Sequence, residues 1–200
     1  GDFDKEGSGT MLASGVWSFT GGLTVNLGTL ALQQTNTFGG NKTIALNGSG
    51  AAYGTLAVGA DENMGASTNS IAFAGGHLQI TNSFQSNRAI TLNLGNGTID
   101  VLSGQTFTTL AAINGLGGLN KVGAGTLALS NAAVYSGTTN LLEGTILESG
   151  AGGNCLPTTT ILGMASGTTL NLNNNSQSIA TLFGDGTINL AGGTFTIPDR

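Results

Sequence analysis

A five-residue phrase recurs along the chain: Gly-Thr, an apolar residue, any residue, and a second apolar residue. It reads GTLAL from Gly28, GTLAV from Gly54, GHLQI from Gly76, GTIDV from Gly97, GTLAL from Gly125, GTILE from Gly144, GTTLNL from Gly167 and GTINL from Gly186, with a weaker GTMLA from Gly9. The nine starts span 177 residues in eight steps, a mean near 22. Two copies fit imperfectly: Glu148 takes an apolar slot, and the Gly167 copy carries one extra residue. A period of two means a strand, so Leu30 and Leu32 face one way while Thr29 and Ala31 face the other. The leading glycine allows a left-handed corner without steric cost.

One strand per repeat leaves room for two more. Candidates are LTVNL from Leu23, KTIAL from Lys42, SIAFA from Ser70, AITLNL from Ala89 and TTNLL from Thr138. A unit this short cannot bury its apolar side alone, so it must stack on its neighbours. The expected fold is all-β, a right-handed parallel β-helix (β-solenoid) of roughly nine coils of about 22 residues. Nine coils at the strand spacing make a stack of roughly 40 Å. In this register Leu127 and Leu129 point inward, and Thr and Asn at repeated outward slots form ladders.

A longer repeat lies above the coil. Residues 1–30 align without gaps on 117–146, with nine identities: Gly1/Gly117, Lys5/Lys121, Gly7/Gly123, Gly9/Gly125, Thr10/Thr126, Ser14/Ser130, Gly21/Gly137, Gly28/Gly144 and Thr29/Thr145. The offset of 116 residues is about five coils. The chain reads as one solenoid domain, 1–200, holding a unit at 1–116 and a partial second at 117–200.

Three runs make the sequence recognisable: Lys-x-Gly-x-Gly-Thr-Leu from Lys121, aromatic-Ser-Gly-x-Thr from Tyr135, and Gly-Thr-Ile from Gly144. Residues 115–146 resemble the passenger-associated transport repeat, also called the autotransporter-associated β-strand repeat. Residues 73–101 resemble the segment that often lies upstream of it, and 1–30 carry a weaker copy. The resemblance implies a secreted right-handed β-helix on the bacterial surface, often exported by a C-terminal outer-membrane barrel. No barrel is legible in this sequence.

Composition narrows the function classes. Charged residues are 8% of the chain, against roughly 25% in an ordinary domain. The net charge is −5, and the five cations Lys5, Lys42, Arg88, Lys121 and Arg200 are scattered. Nucleic acid and anionic membranes need clustered cations, so neither is an expected partner. No stretch reaches the ~18 apolar residues of a membrane helix, and the first residues hold no apolar signal segment. The one cysteine, Cys155, excludes a disulfide framework within the chain and a Cys-based zinc site. It reads as a small loop residue.

No catalytic, cofactor-binding or metal-binding set is expected. His77, the only histidine, takes the slot that Thr holds at Thr29, Thr55, Thr98 and Thr126, so it faces outward. Arg88, Asp61, Glu62 and Asp100 are the residues a polysaccharide lyase or hydrolase would have to use, since glycoside hydrolysis needs two carboxyls flanking one bond. Asp61 and Glu62 read instead as solvated loop charges, and Asp100 as an outward substitution in the row of Ala31, Ala57 and Gln79. Asp185, in a glycine-rich turn, lacks the in-register partners of a calcium repeat. The second outward slot is too irregular for an ice-binding face.

The expected function is therefore a non-enzymatic structural or adhesive surface protein, extracellular or on the bacterial surface, with a carbohydrate-active β-helix enzyme as the alternative. Expected partners are other copies stacked end to end and cell-surface or glycan contacts. Charges near the termini, Asp2, Asp4, Lys5, Glu6, Asp199 and Arg200, are the only protection legible for the two open ends of the stack.

Overall fold

A computed structural model describes residues 1–198, which form a parallel β-solenoid of about nine coils. Asp199 and Arg200 lie outside the described residues. Each coil contributes short strands to up to three faces. The first face stacks Phe3–Lys5, Leu23–Val25, Thr43–Ser49, Ser70–Ala74, Ile90–Leu92, Ile113–Gly115 and Val134–Tyr135. The second stacks nine strands, from Thr10–Ala13 and Gly28–Leu32 through Ala52–Val58, His77–Ile80, Gly97–Val101, Leu119–Val122, Thr139–Leu141 and Ile161–Met164 to Thr181–Gly184. The third begins at Phe84–Ser86 and continues with Thr106–Thr109, Thr126–Leu129, Thr145–Glu148, Thr169–Asn171 and Thr187–Asn189. The candidate strands near Leu23, Lys42, Ser70, Ala89 and Thr138 are all present.

Pairing runs from coil to coil, in parallel. The exceptions are an antiparallel hairpin within one coil, where Gly48 faces Tyr53 and Ser49 faces Ala52, and an isolated antiparallel bridge between Asn47 and Gly75. A single short 3₁₀ turn, Asp61–Met64, occupies the third side of the same coil.

The inward slots form continuous apolar rows. On the second face Leu30, Leu56, Leu78 and Ile99 stand one above another in register, all fully buried. On the third, Phe107, Leu127, Ile146 and Leu170 do the same. Such stacking gives each side chain like neighbours above and below, and the parallel ladder satisfies the backbone between them.

The nine Gly-Thr phrases do not form one ladder. Those from Gly9, Gly28, Gly54, Gly76 and Gly97 lie on the second face, whereas those from Gly125, Gly144, Gly167 and Gly186 lie on the third. Thr126 therefore does not share the row of Thr29, Thr55 and Thr98. It pairs with Thr106 and Thr145 instead. The same switch appears in the long repeat. Phe3 is on the first face and its counterpart Leu119 on the second, while Thr10 is on the second and Thr126 on the third. The 116-residue offset thus carries the motif a whole number of coils plus one face. The extra residue of the Gly167 copy is Thr168, which turns inward, is buried, and donates to the Ala165 carbonyl at 2.7 Å.

Lys5 and Lys121 explain the lysine of the repeat. Both occupy inward slots, Lys5 beside Val25 and Lys121 between Ile99 and Leu141, and both are buried. Lys5 Nζ donates to the carbonyls of Glu6, Gly7 and Leu27 at 2.9, 2.6 and 2.9 Å. Lys121 Nζ donates to those of Val122, Gly123 and Glu143 at 2.6, 2.6 and 3.3 Å. These are the same three carbonyls shifted by 116 residues. Each ammonium uses its three donors on a corner where the chain turns between faces. Lys5 is therefore not a charge guarding the end, as its place in the sequence had implied, but a buried corner clamp. Gly28 and Gly144 sit against the same corners at φ +70, where a Cβ would come within 2.5 and 2.4 Å of the carbonyl oxygens of Gly9 and Gly125.

Leu129→Asp would place a charge in a slot that is 0% exposed. A fall of the melting temperature large enough to abolish the cooperative transition is the expected result. Lys121→Met keeps the volume but leaves three corner carbonyls without their donor. It is expected to lower stability by about 2 kcal/mol in urea unfolding, with the far-ultraviolet spectrum of the folded state unchanged.

Candidate binding surface

The outward slots make polar rows along the rod. At the corner after the first face, Asn47 Nδ2 donates to Asn26 Oδ1 at 2.8 Å and Asn26 Nδ2 donates to Glu6 Oε1 at 2.5 Å, crossing three coils. On the second face Asn140 Nδ2 donates to Asn120 Oδ1 at 2.9 Å, and Asn120 Nδ2 reaches Thr98 Oγ1 at 3.4 Å. Thr and Asn ladders of the expected kind are present, though short.

His77 is in the outward row with Thr55 and Thr98. Its ring stacks on Tyr53 at 3.8 Å between centroids and 8° between planes. The hairpin supplies that tyrosine. Partial burial lowers the imidazole pKa, with Asp100 opposing, so the ring stays neutral to lower pH than an ordinary histidine. Asp100 does stand in the row of Ala31, Ala57 and Gln79, and its Oδ2 accepts from Gln79 Nε2 at 2.8 Å.

Arg88 and Asp61 do come together, but not as a catalytic pair. Arg88 is 2% exposed. Its Nε donates to Asp61 Oδ1 at 2.9 Å, Nη1 to the Ala66 and Asn69 carbonyls, and Nη2 to the Asp61 and Gly65 carbonyls. All three guanidinium nitrogens are spent on holding the 3₁₀ turn and the loop that follows it. Asp61 is thus an ion-paired anchor and not a solvated loop charge, which corrects the expectation from sequence. Glu62 is exposed. Asp185 is exposed near the far end of the stack. Among the described residues no group of three His, Cys, Asp or Glu side chains converges as a metal site would need.

The aromatic-Ser-Gly-x-Thr run resolves into a buried hydroxyl chain. Tyr135 is buried, and its hydroxyl lies 2.5 Å from Thr139 Oγ1, which lies 2.9 Å from Thr160 Oγ1. Thr160 in turn donates to the Gly137 carbonyl at 3.1 Å. In the first copy the equivalent positions are Phe19 and Leu23. Both hydroxyls are replaced by apolar groups together, as a buried polar pair demands.

Glu148 occupies the inward row after Leu129. It is 0% exposed, and neither carboxyl oxygen has a hydrogen-bond partner. Burial pushes its pKa up to about 7, with the nearby Cys155 backbone offsetting part of the effect. Cys155 is a buried free thiol, pushed up to about 11 by burial and then by Glu148, which suits a packing role rather than a nucleophile.

The fold and surface thus define a class: a parallel β-solenoid with polar ladders outside and an apolar, lysine-clamped interior. The "Adhesin BmaC autotransporter" of Brucella suis biovar 1 (strain 1330) is 34% identical to this chain over 139 residues, or 68% of the chain. The chain spans 4% of the length of that relative. No family model matches the chain, and no solved structure matches it. The chain is thus similar to an autotransporter adhesin, and its β-solenoid is consistent with autotransporter passenger repeats.

Glu148 makes the fold sensitive to pH. Its folded value of about 7 lies above the ordinary 4.5, so between these values the unfolded chain binds fewer protons and stability falls as pH rises. The loss begins near pH 4.5, is complete above about pH 7, and amounts to about 3 kcal/mol. Glu148→Gln is expected to flatten this dependence, and Glu148→Leu to raise the melting temperature at pH 8, both read by calorimetry from pH 4 to 9.

Proposed function

We propose that this chain is part of a non-enzymatic adhesive rod displayed outside a bacterial cell. The observation that carries the reading is the combination of the rod itself with a relative that is an autotransporter adhesin. A solenoid holds its outer rows rigid over many coils, and rigid rows suit extended, repeated contacts with another surface. The chain contributes one 116-residue unit and part of a second to that rod. The enzymatic alternative finds little support in the arrangement of its carboxyls, because Asp61 is tied to a saturated Arg88 and Asp100 is held by Gln79.

The first and last described coils each leave apolar side chains exposed. Met11, Leu12 and Val16 are 39%, 56% and 66% exposed at one end, and Phe183, Leu190 and Ile197 are 55%, 42% and 45% exposed at the other. Met11 is in register with buried Leu30, so it is an inward row that lies open there. We propose that a further coil, from the same polypeptide or from a second copy, continues the parallel pairing at these coils.

Beads coated with the chain are expected to attach to host cells or matrix above an albumin control, and the chain is expected to turn over no glycan. Turnover of a neutral or acidic glycan that disappears in Asp100→Ala or Arg88→Ala would overturn the non-enzymatic reading. Light scattering over a hundredfold dilution is expected to show particles that lengthen with concentration; a monomer throughout would remove the stacking.

A further inference from the structure

The coil holding the hairpin is longer than its neighbours. Ile44 to Ile71, which pair directly, are 27 residues apart, whereas Leu23 to Ile44 are 21. The surplus goes into the hairpin and into the turn Asp61–Met64 on the third side, where no strand forms. Polar groups there fall into two sets. The buried set is saturated. Asn36 accepts from the Trp17 amide and donates to the Asn63 carbonyl. Asn63 accepts from the Gly59 and Ala60 amides and donates to the Gln34 carbonyl. Asn69 accepts from Gly40 and Lys42 and donates to Phe38 and Met64. Together with Arg88 these side chains make the loop rigid.

The second set lines a cleft of about 500 Å³ beside the loop: Gln33, Gln34, Thr35, Glu62, Thr81 and Asn82. None of these six side chains makes a hydrogen bond to another described residue. Gly59 lies against the cleft, where a Cβ would come within 2.7 Å of Asn82 Nδ2 and 3.1 Å of Thr81 Oγ1. A second hollow of about 440 Å³ adjoins it and shares Thr35 and Glu62. The chain therefore spends its buried polar groups on bracing and leaves a converging set of amides and hydroxyls unspent. The volume falls in the range of small-molecule sites, and the lining is mostly polar.

The lining also states what would fit. Amide and hydroxyl groups both donate and accept, which matches vicinal sugar hydroxyls. Glu62 adds a strong acceptor for two such hydroxyls. The cleft has no free cation, because the neighbouring Arg88 is buried with its donors filled. An acidic glycan would meet Glu62 unpaired. We propose that this cleft, between residues 32–35 and 59–63 and closed by Thr81 and Asn82, binds neutral oligosaccharides. The proposal rests on the adhesive reading and gives it a ligand class.

The test uses the full chain, with maltohexaose, cellohexaose and chitohexaose against oligogalacturonate, followed by titration calorimetry and amide-shift perturbation. At least one neutral hexasaccharide is expected to bind and shift Asn82, with oligogalacturonate at least about tenfold weaker. Gln34→Ala and Asn82→Ala each remove exposed groups and are expected to weaken binding about fivefold at an unchanged melting temperature. Gln85→Ala, on the same coil as Asn82 but outside the cleft, is expected to change nothing. Absence of binding by all three neutral sugars, binding insensitive to Gln34→Ala and Asn82→Ala, or equal binding of oligogalacturonate would each overturn the assignment. A chain that coats beads and attaches to cells, yet binds no neutral hexasaccharide, defeats the cleft and spares the adhesive reading. One that binds sugar in the cleft but attaches to nothing upholds the cleft and defeats the adhesive reading.

Discussion

Parallel hydrogen bonding between successive coils is the constraint on which everything else in this molecule rests. A strand of three to five residues has no partner within its own coil, apart from the hairpin at Gly48 and Tyr53, so its backbone groups are satisfied only by the turns above and below. Register follows from that. Once Leu30 stands on Leu56 and Leu56 on Leu78, a shift of one residue would turn every apolar side chain outward. Stability is therefore shared between neighbours and not lodged in any one coil.

Corners are where such a stack is most strained for hydrogen bonds, because carbonyls turn inward as the chain leaves one face for the next. The buried ammonium groups of Lys5 and Lys121 meet this need in both copies of the repeat, with the glycines at Gly28 and Gly144 making room. Burial draws Lys121 down to about 8, with Asp100 and then Glu143 opposing, so the charged form is retained at neutral pH. Glu148 is the contrasting case. It sits in an equivalent inward position without a donor, and the neutral acid is the form that the site tolerates.

The proposed binding function rests on departures from regularity. Where coils repeat, the outside is a set of ladders that use up their own amides, as Asn140 and Asn120 do. Where one coil lengthens, the chain leaves the ladder, builds the turn Asp61–Met64, and opens polar groups that no neighbouring coil engages. An adhesive reading needs both parts, stiffness from the repeat and chemical distinctiveness from its interruption.

Much of this was legible without coordinates. Alternation in the Gly-Thr phrases determined the strands, and the inward placement of Leu127 and Leu129 and the misfit of Glu148 followed from the same period of two. The outward row of Ala31, Ala57, Gln79 and Asp100 was legible for the same reason. Three things were not. The move of the phrase from the second face to the third hides in the 28-residue step from Gly97 to Gly125, because spacing alone does not separate one long coil from one coil plus a face. The pairing of Arg88 with Asp61 joins residues 27 apart, and a loop charge looks solvated until the chain folds over it. The burial of Lys5 and Lys121 likewise appeared only in the folded rod. Local alternation is a property of neighbouring residues, and the sequence by itself determined it; where three carbonyls converge on one ammonium depends on how two coils stack, and only the tertiary structure decided that.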